Sequence, residues 1–351
     1  MTEDKELLVW QDGPLGRLRL NRPRALNALT SSMAKAIEHA LTKWRDDDSI
    51  TAVVIDAEGD KAFCAGGDIL DLYAVGKGGD PEPGRQFWQE EYRLNAMIDA
   101  YPKPYIAIMN GITLGGGVGI SAHGSHRIVT ERTMLAMPET GIGFMPDAGG
   151  TWILSRAPGL TGHYLGMAGA RLNASDAIFS GFADYYVESK NLSEFIATLK
   201  SGDTPNAVVA KFALPVGDGQ LKNKQTRIKD AFSQPTALGC VKRLQEMAKD
   251  GDEWAEKTYA ILRRNAPLAV AATFEAINAA KKFSSLEQCL ALEYRFAHRA
   301  AASHDFYEGI RAAIIDKDKK PQWEPNTLED VTPTMVDEVL APLGEHEWTA
   351  A

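Results

Sequence analysis

The chain has 351 residues, of which 44% are hydrophobic and 24% charged, and its formal net charge is −9. This composition is typical of a soluble globular protein with one large domain or two smaller ones. The negative charge disfavours general nucleic-acid binding, and no apolar run approaches the ~18–20 residues that span a bilayer. We therefore expect neither a nucleic-acid nor a membrane partner.

The cysteines and the N-terminus bear on cellular compartment and on metal binding. Cys64, Cys240 and Cys289 are far apart and form no CxxC pair, which argues for a reducing compartment and against a disulfide framework or a cysteine-based zinc site. The charged N-terminus lacks an apolar signal core, so we expect a cytoplasmic protein. His123 and His126 have the spacing of a metal pair, but no acidic third ligand follows, and we expect no metal.

Elements of both kinds alternate in the first half of the chain. Residues 7–10 and 16–21 alternate apolar and polar side chains, which predicts a β-hairpin. Residues 30–44 carry an apolar stripe with helical spacing. Short apolar runs predict further strands at residues 52–56, 105–109, 127–130 and 134–136, and residues 118–123 are predicted to be helical. This alternation indicates an α/β fold.

The pattern changes after about residue 200. Apolar residues with helical spacing predict four long helices, at residues 236–250, 253–264, 268–282 and 286–302. The tail after Lys319 is rich in proline and is predicted to be extended, with one short helix. We therefore predict an α/β domain over residues 1–200 and a mainly helical C-terminal region with an extended tail over residues 201–351.

Residues 137–151 are the most informative segment. Glu139 and Asp147 lie eight residues apart in this segment, among glycines and prolines that a regular helix or strand would not tolerate. The segment is therefore predicted to be a rigid, turning loop that orients side chains, and catalytic groups concentrate on such loops.

Two further glycine clusters occur upstream, at Gly66 and Gly67 and at residues 115–117. The second follows a predicted strand and opens a predicted helix, so its N–H groups could bind a phosphate or a developing oxyanion. The alternative is a tight turn with close helix–strand packing. The cluster has neither the GxGxxG spacing of a dinucleotide site nor the Lys-Ser/Thr of a P-loop. Cys64 is interpreted as a buried, inert thiol rather than a nucleophile.

Together, residues 63–69, 111–119 and 137–151, with the run at 21–29, resemble the crotonase (enoyl-CoA hydratase/isomerase) superfamily. Within it, residues 90–92, the segment from Met137 to Asp147 and a distal run at 304–318 are most similar to the 3-hydroxyisobutyryl-CoA hydrolases. The resemblance implies a spiral of ββα turns followed by a helical C-terminal region. It also implies an acyl-CoA thioester as substrate.

The resemblance carries site roles onto individual residues. The two oxyanion donors would be the N–H groups of Gly67 and Gly116, and the catalytic set would add Glu139 and Asp147. Residues of the substrate site would be Glu91, Gly116, Glu139 and Asp147. The coenzyme A site would be lined by Gly67, Asp68, Ile69 and Leu70, with Arg24, Ala25 and Leu26 close to it. No separate cofactor is implied, because coenzyme A is part of the substrate, and a homo-oligomer is left open.

One departure from the superfamily hydratases bears on the reaction. They carry a first glutamate where this chain has Gly119, and often a glycine where it has Asp147. Hydrating a double bond needs both a base and an acid, so the pattern favours thioester hydrolysis. Glu139 would act as a general base or as a nucleophile that forms an anhydride, and Asp147 would bind a 3-hydroxyl or position water.

From the sequence alone, each of the three carboxylates could also have a purely structural role. Glu139 could cap loop N–H groups, Asp147 could stabilise a turn, and Glu91 could lie on an exposed helix face. Two other functions also stay open: a hydratase or isomerase that works with one carboxylate, and a non-catalytic acyl-CoA-binding or scaffold protein. The prediction is hydrolysis of 3-hydroxyisobutyryl-CoA to 3-hydroxyisobutyrate and coenzyme A, a step of valine catabolism.

Overall fold

The computed structural model describes residues 5–76 and 78–350, and these residues form two compact units. The first unit contains residues up to 68, 90–135 and 172–220, and the second contains 69–89, 136–171 and those from 221 on. The units are interleaved along the chain because residues 136–171 pack with the C-terminal helices. The division into consecutive regions 1–200 and 201–351 stays a prediction about domain organisation.

Two β-sheets are present in the described part of the chain. Their strands are β1 (Leu7–Asp12), β2 (Leu15–Leu20), β3 (Ala52–Ala57), β4 (Ala62–Cys64), β5 (Tyr105–Met109), β6 (Ile112–Leu114), β7 (His126–Val129), β8 (Met134–Ala136) and β9 (Tyr185–Tyr186). The larger sheet has the order β1-β2-β3-β5-β7-β9 and the smaller has β4-β6-β8. β1 and β2 are antiparallel, and β2, β3, β5, β7 and β9 pair in parallel. The predicted hairpin and strands are thus confirmed.

Helices occur throughout the described residues. In order they are α1 (Ser31–Arg45), α2 (Ile69–Gly76), α3 (Glu82–Asp99), α4 (Gly116–Gly119), α5 (Gly150–Arg156), α6 (Thr161–Ala168), α7 (Ala174–Phe179), α8 (Leu192–Lys200), α9 (Pro205–Phe212), α10 (Gln220–Asn223), α11 (Gln225–Phe232), α12 (Ala237–Lys249), α13 (Glu253–Arg264), α14 (Pro267–Ala280), α15 (Leu286–Ala300), α16 (His304–Ile310) and α17 (Pro333–Leu340). No described helix is long and apolar enough to cross a membrane.

Helix α1 illustrates how the sequence fixes an element of the first unit. Thr30 caps it, because the Thr30 hydroxyl oxygen accepts a hydrogen bond from the Met33 N–H. The apolar stripe predicted for this helix is buried, and it ends at Trp44. A Cβ on Gly16 of β2 would lie 2.6 Å from the Trp44 ring, so the helix can approach the hairpin this closely only over a glycine.

The core of the first unit covers the parallel strands of the larger sheet. Apolar residues of β3, β5 and β7 pack with Phe195 and Leu199 of α8 and with Phe212 of α9. All five residues of β5 are buried, as expected for a parallel strand covered on both faces.

The helix predicted at residues 118–123 is wrong in extent. Helix α4 ends at Gly119, and turns follow it. Glycine is a poor helix former. Where the helix ends, the Gly117 carbonyl oxygen accepts a hydrogen bond of 2.6 Å from the Ser121 hydroxyl. The short helix nonetheless places Gly116 at its first position, which is the feature that matters for the site.

The second unit is helical. Helix α14 lies at its centre and contacts α5, α6, α12, α15 and α17. Ten of its residues are buried, so its apolar surface extends around most of the helix, as expected for a central helix. The four long helices predicted from the sequence are α12 to α15, within two residues at each end, and the short helix predicted in the tail is α17.

Candidate active site

The backbone N–H groups of Gly67 and Gly116 are both available to a ligand. The neighbours of Gly67 are held in place: the Leu29 N–H donates to Gly66 O and the Asp68 N–H donates to Leu29 O, each over 2.8 Å. Gly116 is the first residue of α4, so its N–H has no acceptor within the helix. Within residues 5–76 and 78–350, neither amide makes a hydrogen bond.

The two amides lie together beside a carboxylate. A Cβ built on Gly116 would lie 3.3 Å from the Gly67 nitrogen and would overlap Glu91 Oε1. Glu91 is 2% exposed, so it does not lie on an exposed helix face. The first unit therefore brings together Gly67, Gly116 and Glu91, all of which the sequence predicted for the site.

Cys64 lies next to this group and is buried like the other two cysteines. Burial, with a smaller contribution from the negative charge of Glu91, raises the pKa of the Cys64 thiol to about 12. Burial also raises the pKa of Cys240 and of Cys289 to about 12. The three thiols are therefore unreactive, as predicted for Cys64.

Arg24, Leu26 and Lys61 line a cleft of about 450 Å³ in the first unit, together with Glu58 and Asp60. Arg24 and Ala25 are exposed, and Leu26 is half-buried. These residues belong to a 3₁₀ turn, Pro23–Ala25, that precedes a left-handed Leu26 with φ 52°. Two exposed cations and two exposed anions therefore line the cleft.

Asn27 holds this turn in place, and the sequence reasoning missed it. Its Oδ1 accepts a hydrogen bond from the Arg22 N–H over 2.8 Å, and its Nδ2 donates to Glu58 O and Ala62 O over 3.0 and 2.9 Å. Asn27 is 1% exposed, although it looks like an ordinary polar loop residue in the sequence.

The remaining residues predicted to bind coenzyme A are divided between the units. Asp68 belongs to the first unit, where its Oδ2 forms an ion pair of 2.8 Å with Arg22. Ile69 and Leu70 open α2 in the second unit, and Leu70 is 48% exposed. Their role in binding coenzyme A stays a prediction.

Glu139 begins a 3₁₀ turn, Glu139–Ile142, in the second unit and is 6% exposed. The turn ends at Gly143, which has φ 76°, and the Phe144 N–H donates to Glu139 O over 3.1 Å. A Cβ on Gly143 would overlap the backbone of Asp305. Helix α16 therefore packs directly against the turn that carries Glu139.

Asn265 also fixes this turn, and the sequence reasoning missed it. Its Nδ2 donates to Thr140 Oγ1 over 3.0 Å and to Met167 O over 3.1 Å. The next residue, Ala266, donates its N–H to Thr140 O over 2.9 Å. Thr140 follows Glu139, so the chain entering α14 fixes the backbone next to the carboxylate. No sequence pattern indicates this contact.

Asp147 lies in a tight turn of the second unit and is 6% exposed. The Gly150 N–H donates to Asp147 O over 2.7 Å. Ala148 has φ 52° and Gly149 has φ 78°, so two successive residues adopt left-handed backbone conformations. Both Glu139 and Asp147 thus lie on the rigid, turning loop that the glycines and prolines predicted.

Glu293 of α15 is a third buried residue that the sequence reasoning missed. It is 0% exposed, and its carboxylate accepts hydrogen bonds from the N–H groups of Gly149 and Thr151, both of 2.8 Å, and from the Thr151 hydroxyl. Burial, with a smaller contribution from the negative charge of Asp147, raises the pKa of Glu293 to about 8. The sequence feature that could have indicated Glu293 is its position between Leu292 and Tyr294, on an apolar face of a predicted helix.

His126, one of the two histidines near the glycine cluster, has hydrogen-bond partners within the fold. His126 Nδ1 is 2.9 Å from Ser125 Oγ and its Nε2 is 3.0 Å from Asn206 Oδ1, so both ring nitrogens have partners. In the described ranges, no three His, Cys, Asp or Glu side chains are grouped to hold a metal ion.

Comparison with known proteins places the chain in a family. A family model described as "Enoyl-CoA hydratase/isomerase" matches residues 15–340. The chain belongs to this family. Curated relatives include "3-hydroxyisobutyryl-CoA hydrolase, mitochondrial" of Danio rerio, 38% identical, with 97% of this chain and 91% of the relative covered. The protein of the same name from Homo sapiens is 35% identical, with 98% and 90% covered.

Solved structures of the family have the same fold. An "enoyl-CoA hydratase from Rhodobacter sphaeroides" is 44% identical, with a TM-score of 0.92, and the match covers 98% of this chain and 100% of that one. A "Carnitinyl-CoA dehydratase from Mycobacterium thermoresistibile" is 39% identical, with a TM-score of 0.93 and 99% of both chains covered. The predicted crotonase-like α/β fold is confirmed.

The predicted cytoplasmic location is wrong. The curated relatives from fish, human and Arabidopsis thaliana carry the word mitochondrial in their names. The prediction rested on the absence of an apolar signal core, which bears on secretion alone, because mitochondrial targeting segments are amphipathic and rich in arginine.

Proposed function

We propose that this chain is an acyl-CoA thioester hydrolase that converts 3-hydroxyisobutyryl-CoA and water into 3-hydroxyisobutyrate and coenzyme A, within valine degradation. The observation that carries the proposal is the pair of available amides, Gly67 and Gly116, that lie together in the first unit. Such a pair is suited to an acyl oxygen that becomes negative during reaction. The names of the curated relatives support the same reaction.

In the proposed mechanism, the thioester carbonyl oxygen accepts hydrogen bonds from the Gly67 and Gly116 N–H groups. These bonds make the carbonyl carbon electrophilic and stabilise the tetrahedral oxyanion. A missing donor of this kind typically lowers the rate ~10²–10³-fold. The tetrahedral species then collapses, the C–S bond breaks and the coenzyme A thiolate leaves.

Glu139 supplies the other half of the chemistry by one of two routes. As a general base it takes a proton from the attacking water. As a nucleophile its oxygen bonds to the carbonyl carbon, and water then hydrolyses the resulting anhydride. Asp147 accepts a hydrogen bond from the 3-hydroxyl of the acyl group or positions the water, and Glu91 contributes to the substrate site.

The coenzyme A part of the substrate is proposed to lie along Arg24, Ala25 and Leu26 and along residues 67–70. Arg24 and Lys61 line the cleft together with Glu58 and Asp60, and the two cations are proposed to pair with its phosphates. The reaction as proposed uses no metal or redox cofactor. A homo-oligomeric state is also part of the proposal, and its check is the molar mass of the protein in solution.

A second candidate function is hydration or isomerisation of an enoyl-CoA, favoured by the name of the Rhodobacter sphaeroides structure. Gly119, buried in α4, argues against hydration because it supplies no acid or base. An isomerase could use Glu139 alone, since one carboxylate can remove and return a proton. A non-catalytic acyl-CoA-binding protein has no use for these carboxylates.

A substrate panel separates the candidates. The protein, dialysed against a chelator, is incubated with 3-hydroxyisobutyryl-CoA, isobutyryl-CoA and crotonyl-CoA, while free thiol and enoyl absorbance are followed. We expect rapid thiol release from the 3-hydroxyacyl ester. Fast loss of enoyl absorbance without thiol release would contradict the proposal, and binding without turnover would favour the non-catalytic alternative.

A further inference from the structure

The carboxylate of Glu293 lies in an unusual setting for a fully buried acid. Its oxygens accept three hydrogen bonds, two from the N–H groups of Gly149 and Thr151 and one from the Thr151 hydroxyl. None of the described arginine or lysine side chains forms an ion pair with it. Because a buried polar group is costly without hydrogen-bond partners, these three bonds are what stabilises the Glu293 side chain in the interior.

All three donors belong to one short segment, the end of the Asp147 turn and the start of α5. Asp147 lies two residues before Gly149, and Ala148 between them has φ 52°. A non-glycine residue in a left-handed conformation persists only where its surroundings over-determine it. The carboxylate binds the turn immediately after this residue, so it constrains the backbone from which the Asp147 side chain projects.

We propose that Glu293 is a positioning residue that fixes the orientation of Asp147 by binding the turn after it, and thereby sets the preference for a hydroxylated acyl group. The inference rests on the proposed function, because it assumes that Asp147 contacts the 3-hydroxyl. Asp147 and Glu293 are both acidic and lie close enough for the charge of Asp147 to raise the pKa of Glu293. The three donors of the turn are uncharged, so Glu293 holds the turn through directed hydrogen bonds.

The experiment compares Glu293→Gln with two threonine variants. Glu293→Gln keeps the side-chain shape but leaves one oxygen for the turn's donors. Thr151→Val removes only the hydroxyl donor. Thr273→Val is the matched control, since Thr273 is also 0% exposed in the second unit and its hydroxyl donates to Ala269 O within its own helix over 2.7 Å.

The main readout is the ratio of kcat/KM for 3-hydroxyisobutyryl-CoA to kcat/KM for isobutyryl-CoA. We expect Glu293→Gln to lower this ratio about 10-fold, Thr151→Val to lower it by about 3-fold, and Thr273→Val to leave it unchanged, because a misplaced hydrogen-bond partner weakens discrimination by factors of this size. A folded Glu293→Gln protein with an unchanged ratio, or with equal losses on both substrates, overturns the proposal. If Glu293→Gln does not fold, the ratio of Thr151→Val decides in the same way.

Hydrogen exchange gives a readout that does not depend on activity. The amides of Gly149 and Thr151 should exchange about 10-fold faster in Glu293→Gln than in the wild type, whereas Thr273→Val should leave them unchanged. A wild-type protein that hydrolyses no thioester refutes the proposed function, and exchange then still reports whether Glu293 holds the turn. Faster exchange with an unchanged substrate ratio means that the turn is held but Asp147 is not positioned by it, which overturns the inference.

Discussion

Glu91 Oε1 occupies the space into which a side chain on Gly116 would project. The Glu91 carboxylate is buried, and the Gly67 amide nitrogen lies 3.3 Å from the position of a Cβ on Gly116. A side chain at position 116 would therefore have to displace the Glu91 carboxylate.

Gly116→Ala should lower thioester turnover by ~10²-fold or more, because the new methyl group displaces Glu91 and disturbs a proposed oxyanion donor. Gly217→Ala is the matched control, since a Cβ there meets nothing within 4 Å. The measurement is kcat and KM by thiol release, with thermal unfolding to establish that both variants fold. Turnover of a folded Gly116→Ala protein at the wild-type rate would remove Gly116 from the mechanism.

Glu139→Gln should lower kcat by ~10²-fold or more, because the amide can act neither as base nor as nucleophile. Binding of the coenzyme A ester should persist, since the proposed contacts at Arg24 and residues 67–70 are unchanged. Glu256→Gln, an exposed glutamate of the same unit, serves as the control. Near-normal kcat in Glu139→Gln would exclude both proposed roles for this carboxylate.

Asp147→Asn tests recognition of the hydroxyl group. If Asp147 accepts a hydrogen bond from the 3-hydroxyl, its replacement should reduce kcat/KM for 3-hydroxyisobutyryl-CoA about 5- to 150-fold more than for isobutyryl-CoA, the effect of about 1–3 kcal/mol from a buried group left without its partner. Both substrates are compared under identical conditions. Equal losses on the two esters would assign Asp147 to water or to the shared thioester instead.

His163 should make the protein sensitive to acid. It is 2% exposed, its Nε2 lies 3.0 Å from Asn278 Oδ1, and burial lowers its pKa to about 4, with a further contribution from Lys281. The unfolded chain binds a proton on His163 more readily than the folded chain does. The contribution of His163 to the free energy of unfolding is therefore fully present above pH 6.5 and is lost as the pH falls towards 4. At 1.36 kcal/mol for each pKa unit, the loss is at most about 3 kcal/mol.

The test replaces His163 by Gln, which keeps a hydrogen-bonding group but does not titrate. Urea unfolding at pH 7, 5.5 and 4 should show a smaller decline in the free energy of unfolding than in the wild type. His39→Gln, at an exposed position, should retain the wild-type decline. If the free energy of unfolding declined equally in the wild type and in His163→Gln, the prediction that His163 is neutral and buried would be wrong.

Local patterns predicted most of the fold. The stripe of α1, the hairpin of β1 and β2 and the four long C-terminal helices follow from spacing that a few neighbouring residues determine. The glycine-rich segments around Gly67, Gly116 and Asp147 were found for the same reason, because glycine and proline restrict the backbone locally.

The supporting residues could not be predicted in this way. Glu293 is 144 positions from Gly149, and Asn265 is 125 positions from Thr140. Each of them is an ordinary polar residue until tertiary packing places it against a turn. The predicted extent of α4 was wrong for a related reason. The Ser121 hydroxyl donates to Gly117 O, and a Cβ on Gly124 would overlap Tyr105, and no local pattern indicates either contact.

The burial of Cys64, Cys240 and Cys289 has a practical consequence for studying this protein. Thiolate-selective reagents such as aromatic disulfides should find no reactive sulfur on the folded chain, because all three thiols combine burial with a pKa near 12. Colour developed during an assay then reports coenzyme A alone. A single cysteine engineered at an exposed site could likewise carry a fluorophore without first removing the native ones.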